Sequence, residues 1–345
     1  LPQDSLEGQL PKRDLGVDAF LATYPDYDGQ GIRVAVLDTG IDPGHPFLQA
    51  TPQGTRKIVD WYDATSDGRL DTSYTVSSES DDMIGLSGRK MLLGKWFQAN
   101  RTYHMGRIDG DFLPGGLTSR IQSDRRADWQ ENKTSFEEAK ARWAANRTEE
   151  GTTQTLLEKE ISRRMESFQD PGPVWDVLVF QNEETWTVLV DNDQDGDFNE
   201  ESGLHSFRET GEWATLGDES NLNYCIQVPG DGSLTMIYFD TNGHGTHVAG
   251  IIGAWEGEAG RMNGVAPGVE FVAIKIGDGK YGGATSGFSI AKALDYAVEA
   301  GCTVANISFG GPSFFADGKE PDAWIIDEAR RRGLITVSSA GNEGP

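Results

Sequence analysis

The segment Ile32-Arg33-Val34-Ala35-Val36-Leu37-Asp38-Thr39-Gly40 constrains this chain more than any other. Its unbroken apolar middle reads as a strand buried on both faces, the pattern of a parallel sheet covered by helices. It ends in a carboxylate at a Gly-containing turn, and open α/β sheets place their chemistry at that C-terminal edge. The last hundred or so residues agree, because apolar β-runs at 271–276, 304–308 and 334–340 alternate with helical patterns at 289–300 and 322–332. The expected fold is therefore α/β, a parallel sheet with helices on both faces.

The chemistry such an edge could carry is narrowed by Gly243-His244-Gly245-Thr246-His247-Val248-Ala249-Gly250. A histidine between small residues, directly before an apolar helical run, puts an imidazole at a helix N-terminus where a substrate can approach. His247, on the apolar side of that run, reads instead as a satisfied core residue. Zinc is not indicated: the two histidines stand three apart with no glutamate between them, unlike H-E-x-x-H. Asp38-Thr39-Gly40 alone is ambiguous, since aspartic proteases use the same tripeptide, but their paired-carboxylate mechanism needs a second copy and none is present. Ser338-Ser339-Ala340-Gly341-Asn342 closes the set with a β-run that leads into a side-chain amide. Asn342 either donates to an oxyanion or caps a turn.

Taken in order, Asp38, the Gly-His-Gly-Thr-His segment and Ala-Gly-Asn resemble the subtilisin-family serine peptidases, whose triad runs Asp, His, Ser along the chain. Asn263-Gly264-Val265-Ala266-Pro267 and Asn306-Ile307-Ser308-Phe309-Gly310-Gly311-Pro312 fit the same resemblance. It implies Asp38 and His244 as triad members, Asn342 as oxyanion donor, Ser308, Phe309 and Gly310 as a strand that pairs with substrate, and Gly282 and Gly283 as the opposite wall. The 206 positions from Asp38 to His244 far exceed the spacing in a minimal subtilisin and are similar to the tripeptidyl-peptidase II-like subgroup. The arm before residue 30, Ile84-Gly85-Leu86-Ser87-Gly88-Arg89 and Asp170-Pro171-Gly172-Pro173-Val174 also look like that subgroup.

Three regions follow: residues 1–49, an arm with a short helix at 17–23 and the start of the core; 50–240, an α+β insertion between the aspartate and the histidine; and 241–345, the core resumed. Within the insertion, β-runs at 174–180 and 185–190, and at 224–228 and 234–239, read as two hairpins. Thr134-Ser135-Phe136-Glu137 reads as a capping box, and Leu157, Ile161, Met165 and Phe168 form an apolar helical stripe. The insertion is expected to restrict which substrates enter, to serve as an assembly surface, or to be plain decoration, so a homo-oligomer stays open. Asp191, Asp193, Asp195 and Asp197, with Gly196, match the first half of a calcium loop, although Ser202 stands where the bidentate glutamate belongs. The expectation is a structural calcium or a solvated acidic turn; the chemistry itself needs no cofactor.

With 55 acidic against 30 basic residues the net charge is −25, which argues against nucleic acid and anionic membrane surfaces as partners. No apolar run of about 18 residues is present to span a membrane. Cys225 and Cys302, each in an apolar run, read as buried thiols. The chain begins without Met or an apolar leader, so it reads as processed or cut; the compartment is unassigned, with a lean to extracytoplasmic.

The pattern departs from the family twice. The family's Gly-Thr-Ser-Met-Ala segment is not among these residues, so the nucleophile is expected beyond Pro345 and the fragment itself is expected to be inactive. The resemblance further implies that subgroup members grip a free substrate N-terminus with two glutamates; Thr285 and Gly311 stand at the matching positions, with Asp278 or Asp317 as substitute carboxylates. A peptide or unfolded protein is the expected substrate, cleaved internally. Tripeptide release and a non-catalytic binding role are the alternatives.

Overall fold

The computed structural model describes residues 10–145, 172–258, 260–279, 284–310 and 321–342. Residues 1–108 and 175–345 make one compact unit and 109–174 a second.

In the first unit β1 (Arg33–Asp38), β2 (Ile58–Asp63), β3 (Glu270–Lys275), β4 (Val304–Ile307) and β5 (Ile335–Ser338) form one sheet in the order β5-β4-β1-β3-β2. Every neighbouring pair is parallel. Strand periodicity explains how β1 serves two layers at once. Val34 and Val36 pack with Val248 and Ala249 of helix α1 (His244–Gly253). Ala35 and Leu37 face the other way, onto Ala293, Leu294 and Ala297 of α2 (Gly287–Glu299) and Ala329 of α3 (Pro321–Arg331). The sheet thus carries helices on both faces. The chain leaves β1 toward β2 and β3, then crosses to β4 on the other side, so the strand order reverses at β1 and opens a crevice at its C-terminal edge.

One expected boundary changes. Strand β2 falls within the region assigned to the insertion, yet it is an edge of the central sheet, and Ile58 and Trp61 are buried in the core beneath α1. The core therefore continues past residue 50. The rest of the insertion in this unit is β-rich. Strands at Tyr74–Ser77, Thr102–Ile108, Trp175–Asn182 and Thr185–Val190 form an antiparallel sheet, and Ala214–Leu216, Leu222–Gln227, Leu234–Tyr238 and Arg69–Asp71 another. Both expected hairpins are present within these sheets. The insertion has its own core, built from Met91, Leu93, Tyr103, Met105, Leu178, Phe180, Leu189 and Phe198.

The second unit contains the helix Gly115–Ala145. No helix starts at the expected capping box: Thr134 lies inside this helix, and its hydroxyl donates to the Gln130 carbonyl one turn earlier. The apolar stripe from Leu157 to Phe168 lies outside the described residues. Among the described residues no helix is long and apolar enough to cross a membrane, and both cysteines are buried free thiols.

Candidate functional site

Strand β1 delivers Asp38 to the crevice fully buried. Its Oδ1 accepts the Thr39 amide at 2.8 Å and lies 2.7 Å from His244 Nδ1. Burial pushes the Asp38 carboxyl above its ordinary range, opposed by the hydrogen bonds from His244 and from the Thr39 amide. The imidazole side is different: the His244 side chain is 49% exposed. With Nδ1 held by the carboxylate, Nε2 is the nitrogen left for a proton acceptor's work toward solvent. This is an oriented base at an open edge.

The base is placed by the N-terminus of α1 pressing on the end of β1. Gly245 packs so closely that a Cβ there would lie 2.0 Å from the Gly40 carbonyl oxygen and 3.0 Å from Asp38 Cβ. Gly243, the residue before the helix, has φ 82°, which lets the chain turn sharply into His244. The helix start is satisfied by Asp240, a residue that the sequence reading did not single out. Its Oδ1 accepts the Gly243 amide at 3.0 Å, and its Oδ2 accepts the Thr246 amide at 3.1 Å and the Thr246 hydroxyl. Thr39 ties the two elements together: its hydroxyl donates to Asp240 Oδ1 at 2.7 Å and accepts the Gly245 amide at 3.0 Å. The available signal was an acidic residue just before a helix of small residues, where exposed amides favour an anion. His247 does not occupy the core. It is exposed, because α1 turns Val248 and Ala249 inward instead.

Residues Ser308, Phe309 and Gly310 leave β4 at the same sheet edge. Phe309 meets the His244 ring edge-on, with ring centroids 6.4 Å apart at 88°. The Ser308 hydroxyl accepts from Asn306 Nδ2 at 2.9 Å, and among the described residues no atom stands within 4 Å of a Cβ built at Gly310. The neighbouring strand β5 pairs Ser338 with Ile307, and the chain then runs through Gly341, at φ 84°, to the exposed Asn342. One edge therefore gathers an oriented imidazole, an open backbone strip and a side-chain amide. Gly282 and Gly283 lie outside the described residues, as do Gly311 and Asp317. Thr285 is exposed, and the Asp278 amide donates to the Ala284 carbonyl at 2.9 Å.

The acidic loop of the insertion brings oxygens of Asp191, Asp193 and Asp195 within 4.8 Å of one another. Its lead carboxylate already has protein donors: Asp191 Oδ1 accepts the Gly196 amide at 3.1 Å, and Oδ2 accepts Arg89 Nη1 at 2.8 Å. Asp197 is not part of the cluster; its Oδ1 accepts the Asn199 amide at 2.9 Å. Glu201 binds the Asn192 amide and side chain at 2.7 and 2.9 Å. Arg89 thus shares Asp191 with the acidic cluster, in which Asp193 and Asp195 stay exposed. Arg89 also reaches Asp176 at 3.7 Å, and Ser87 donates to that same buried carboxylate through its amide, at 2.9 Å, and its hydroxyl. The Gly-Leu-Ser-Gly-Arg segment is thus a clamp over two buried acids.

A family model described as the Subtilase family matches residues 29–345. Tripeptidyl-peptidase 2 of Caenorhabditis elegans is 34% identical over all of this chain, which covers 26% of that protein. Pyrolysin of Pyrococcus furiosus is 30% identical over 92% of the chain, covering 23% of the relative. A crystal structure of tripeptidyl peptidase 2 superposes on 94% of this chain with a TM-score of 0.64 at 20% identity; the match takes in 27% of that structure. The chain thus spans about a quarter of the length of the relatives it matches.

Proposed function

The chain belongs to the subtilase family, and from that premise we propose that it is the front part of a serine endopeptidase whose Asp-His pair is Asp38 and His244. What carries this reading is the 2.7 Å bond between a buried carboxylate and a half-exposed imidazole at the C-terminal edge of a parallel sheet. Asp38 holds Nδ1–H, fixes the tautomer and stabilises the imidazolium; His244 Nε2 takes the proton of a serine contributed by the chain beyond residue 345 as that serine attacks the peptide carbonyl. His244 then returns the proton to the departing amine. The Asn342 amide donates to the oxyanion, a contribution of about 2.7–4 kcal/mol to the barrier for a donor of this kind. An extended peptide adds as a strand along Ser308, Phe309 and Gly310, and Phe309 borders the base. No cofactor enters these steps.

Internal cleavage is favoured over release of tripeptides because a substrate ammonium group needs a paired anion to be held out of water. Thr285 offers none. The relatives named tripeptidyl-peptidase 2 make the second reading the natural rival. Cleavage of a peptide with a free and with an acetylated N-terminus by the full-length protein separates the two. Equal cleavage at internal bonds is expected; loss of cleavage on acetylation, with tripeptides released from the free form, would establish the rival.

A further inference from the structure

The turn that follows Asp38 is held from several directions. Trp61 Nε1 of the core donates to the Ile41 carbonyl at 3.0 Å, and the Trp61 ring stacks on Tyr238 of the insertion with centroids 5.0 Å apart. One residue further on, the Asp42 amide donates to the Thr246 hydroxyl oxygen at 2.8 Å. Thr246 stands two residues after His244, in the first turn of α1, and its hydroxyl in turn donates to Asp240. A single hydroxyl thus takes the Asp42 amide and gives its own proton to the carboxylate at the helix start. The turn after β1 and the helix that carries the base are bonded together there.

The Asp42 carboxylate carries this contact into the insertion. Its Oδ1 accepts the Gly44 amide at 2.8 Å, which closes the turn, and Asn223 Nδ2 at 3.0 Å, from the strand Leu222–Gln227. Asn223 is fixed by its own sheet: it lies opposite Thr215 in the antiparallel ladder, and its Oδ1 accepts the Thr215 hydroxyl at 2.7 Å. An ionised carboxylate only accepts, so the amide must present its NH2 to Asp42 and its oxygen to Thr215. A hydrogen bond of this kind, to a charged acceptor, is among the stronger ones. The packing leaves no slack beside it. A Cβ on Gly44 would lie 2.5 Å from Asn223 Nδ2 and 2.7 Å from the Trp213 ring.

We propose that Asn223 is a positioning residue for the base: through Asp42 and Thr246, the insertion holds the start of the helix that presents His244. This rests on the peptidase reading above. Asn223 acts through the Asp42 carboxylate rather than on the peptide. Its loss frees the turn, lets the first turn of α1 drift against Asp38, and slows proton transfer. None of these bonds involves Ser308, Phe309 or Gly310, so substrate binding persists. The insertion then contributes to turnover itself, apart from any part in gating or assembly.

The test uses the full-length protein and Asn223→Leu, a change of similar size at a half-buried position. With a peptide substrate, kcat is expected to fall about 10-fold with KM within about twofold, part of the roughly 100-fold that misplacement by about 1 Å costs. The rate of fluorophosphonate labelling is expected to fall in step, because it depends on the same base. A His244→Ala background separates positioning from general support, since its residual hydrolysis no longer depends on where an imidazole stands. There Asn223→Leu is expected to change the residual rate by less than about twofold. Thr215→Val, at an exposed position, removes only the hydroxyl that orients Asn223 and is expected to lower kcat about threefold; it decides the matter if Asn223→Leu does not fold. An unchanged kcat in the folded variant would overturn the proposal. So would an equal fall with and without His244, which would mark Asn223 as part of the general scaffold. Absence of labelling in the wild type would instead defeat the peptidase reading itself.

Discussion

Alanine at Gly245 would set the helix that carries His244 against the strand that carries Asp38. The new Cβ would lie 2.0 Å from the Gly40 carbonyl oxygen, where ordinary contact begins near 3.4 Å, so one backbone must retreat by about 1.4 Å. Neither side is a flexible side chain: the obstruction is backbone oxygen, and the Asp38 Cβ stands 3.0 Å away behind it. Overpacking of this kind costs about 1–3 kcal/mol. The same retreat stretches the 2.7 Å Asp38–His244 bond, and misplacement by about 1 Å costs roughly 100-fold in rate. Gly250 in the same helix is the control, because nothing lies within 4 Å of its Cβ. Alanine there is expected to stabilise the protein by about 0.5–1 kcal/mol through helix propensity. Denaturant midpoints of the full-length variants, with fluorophosphonate labelling rates, read both effects. The reasoning is refuted if Gly245→Ala is as stable and as quickly labelled as the wild type, or if Gly250→Ala destabilises to the same degree.

Asp38→Asn is expected to lower kcat about 10⁴-fold with KM little changed, since the amide favours the wrong imidazole tautomer; steady-state kinetics on a peptide checks it. Lys57 is buried, with its ammonium donating to the Pro267 and Val269 carbonyls, and burial pushes its pKa from the ordinary 10.5 down to about 8, against the opposing pull of Asp28. Between pH 8 and 10.5 the unfolded chain therefore holds the extra proton, so stability should rise as pH is raised through that window. Urea midpoints at several pH values should show the rise and its absence in Lys57→Met. Arg89→Met exposes the charge of two buried carboxylates and is expected to cost about 3 kcal/mol or more by denaturant unfolding. Calcium should leave the wild-type midpoint unchanged and raise that of Arg89→Met, where Asp191 is released to the ion.

Much of this was legible without coordinates because the core is periodic. The apolar run of β1 and the small-residue motif around His244 each carry their own signal, and the structure brings Asp38 and His244 to 2.7 Å. The alternation of β- and α-patterns after residue 270 gave the parallel sheet, with ends off by one or two residues. What escaped depends on contacts across long separations. That strand β2, Ile58–Asp63, joins the central sheet was not legible; its place is set by being an edge, with Tyr296 and Arg208 covering Asp60. His247 was misread because a ten-residue helix of small residues has no unique apolar stripe. The acidic loop was legible from its spacing, but its pairing with Arg89, 102 positions from Asp191, was not. Asp240 gave only the local hint of an ionisable group beside apolar neighbours, and its partners appear once the chain is folded.

The central claim is that Asp38 and His244 serve a nucleophilic serine. Full-length protein treated with a fluorophosphonate, alongside a folded His244→Ala variant, tests it most directly, with the modified residue located by mass spectrometry. The account expects one serine beyond residue 345 to be labelled in the wild type and labelling to collapse in His244→Ala. A folded wild-type protein that takes no label, or a label that forms equally well without His244, would contradict it.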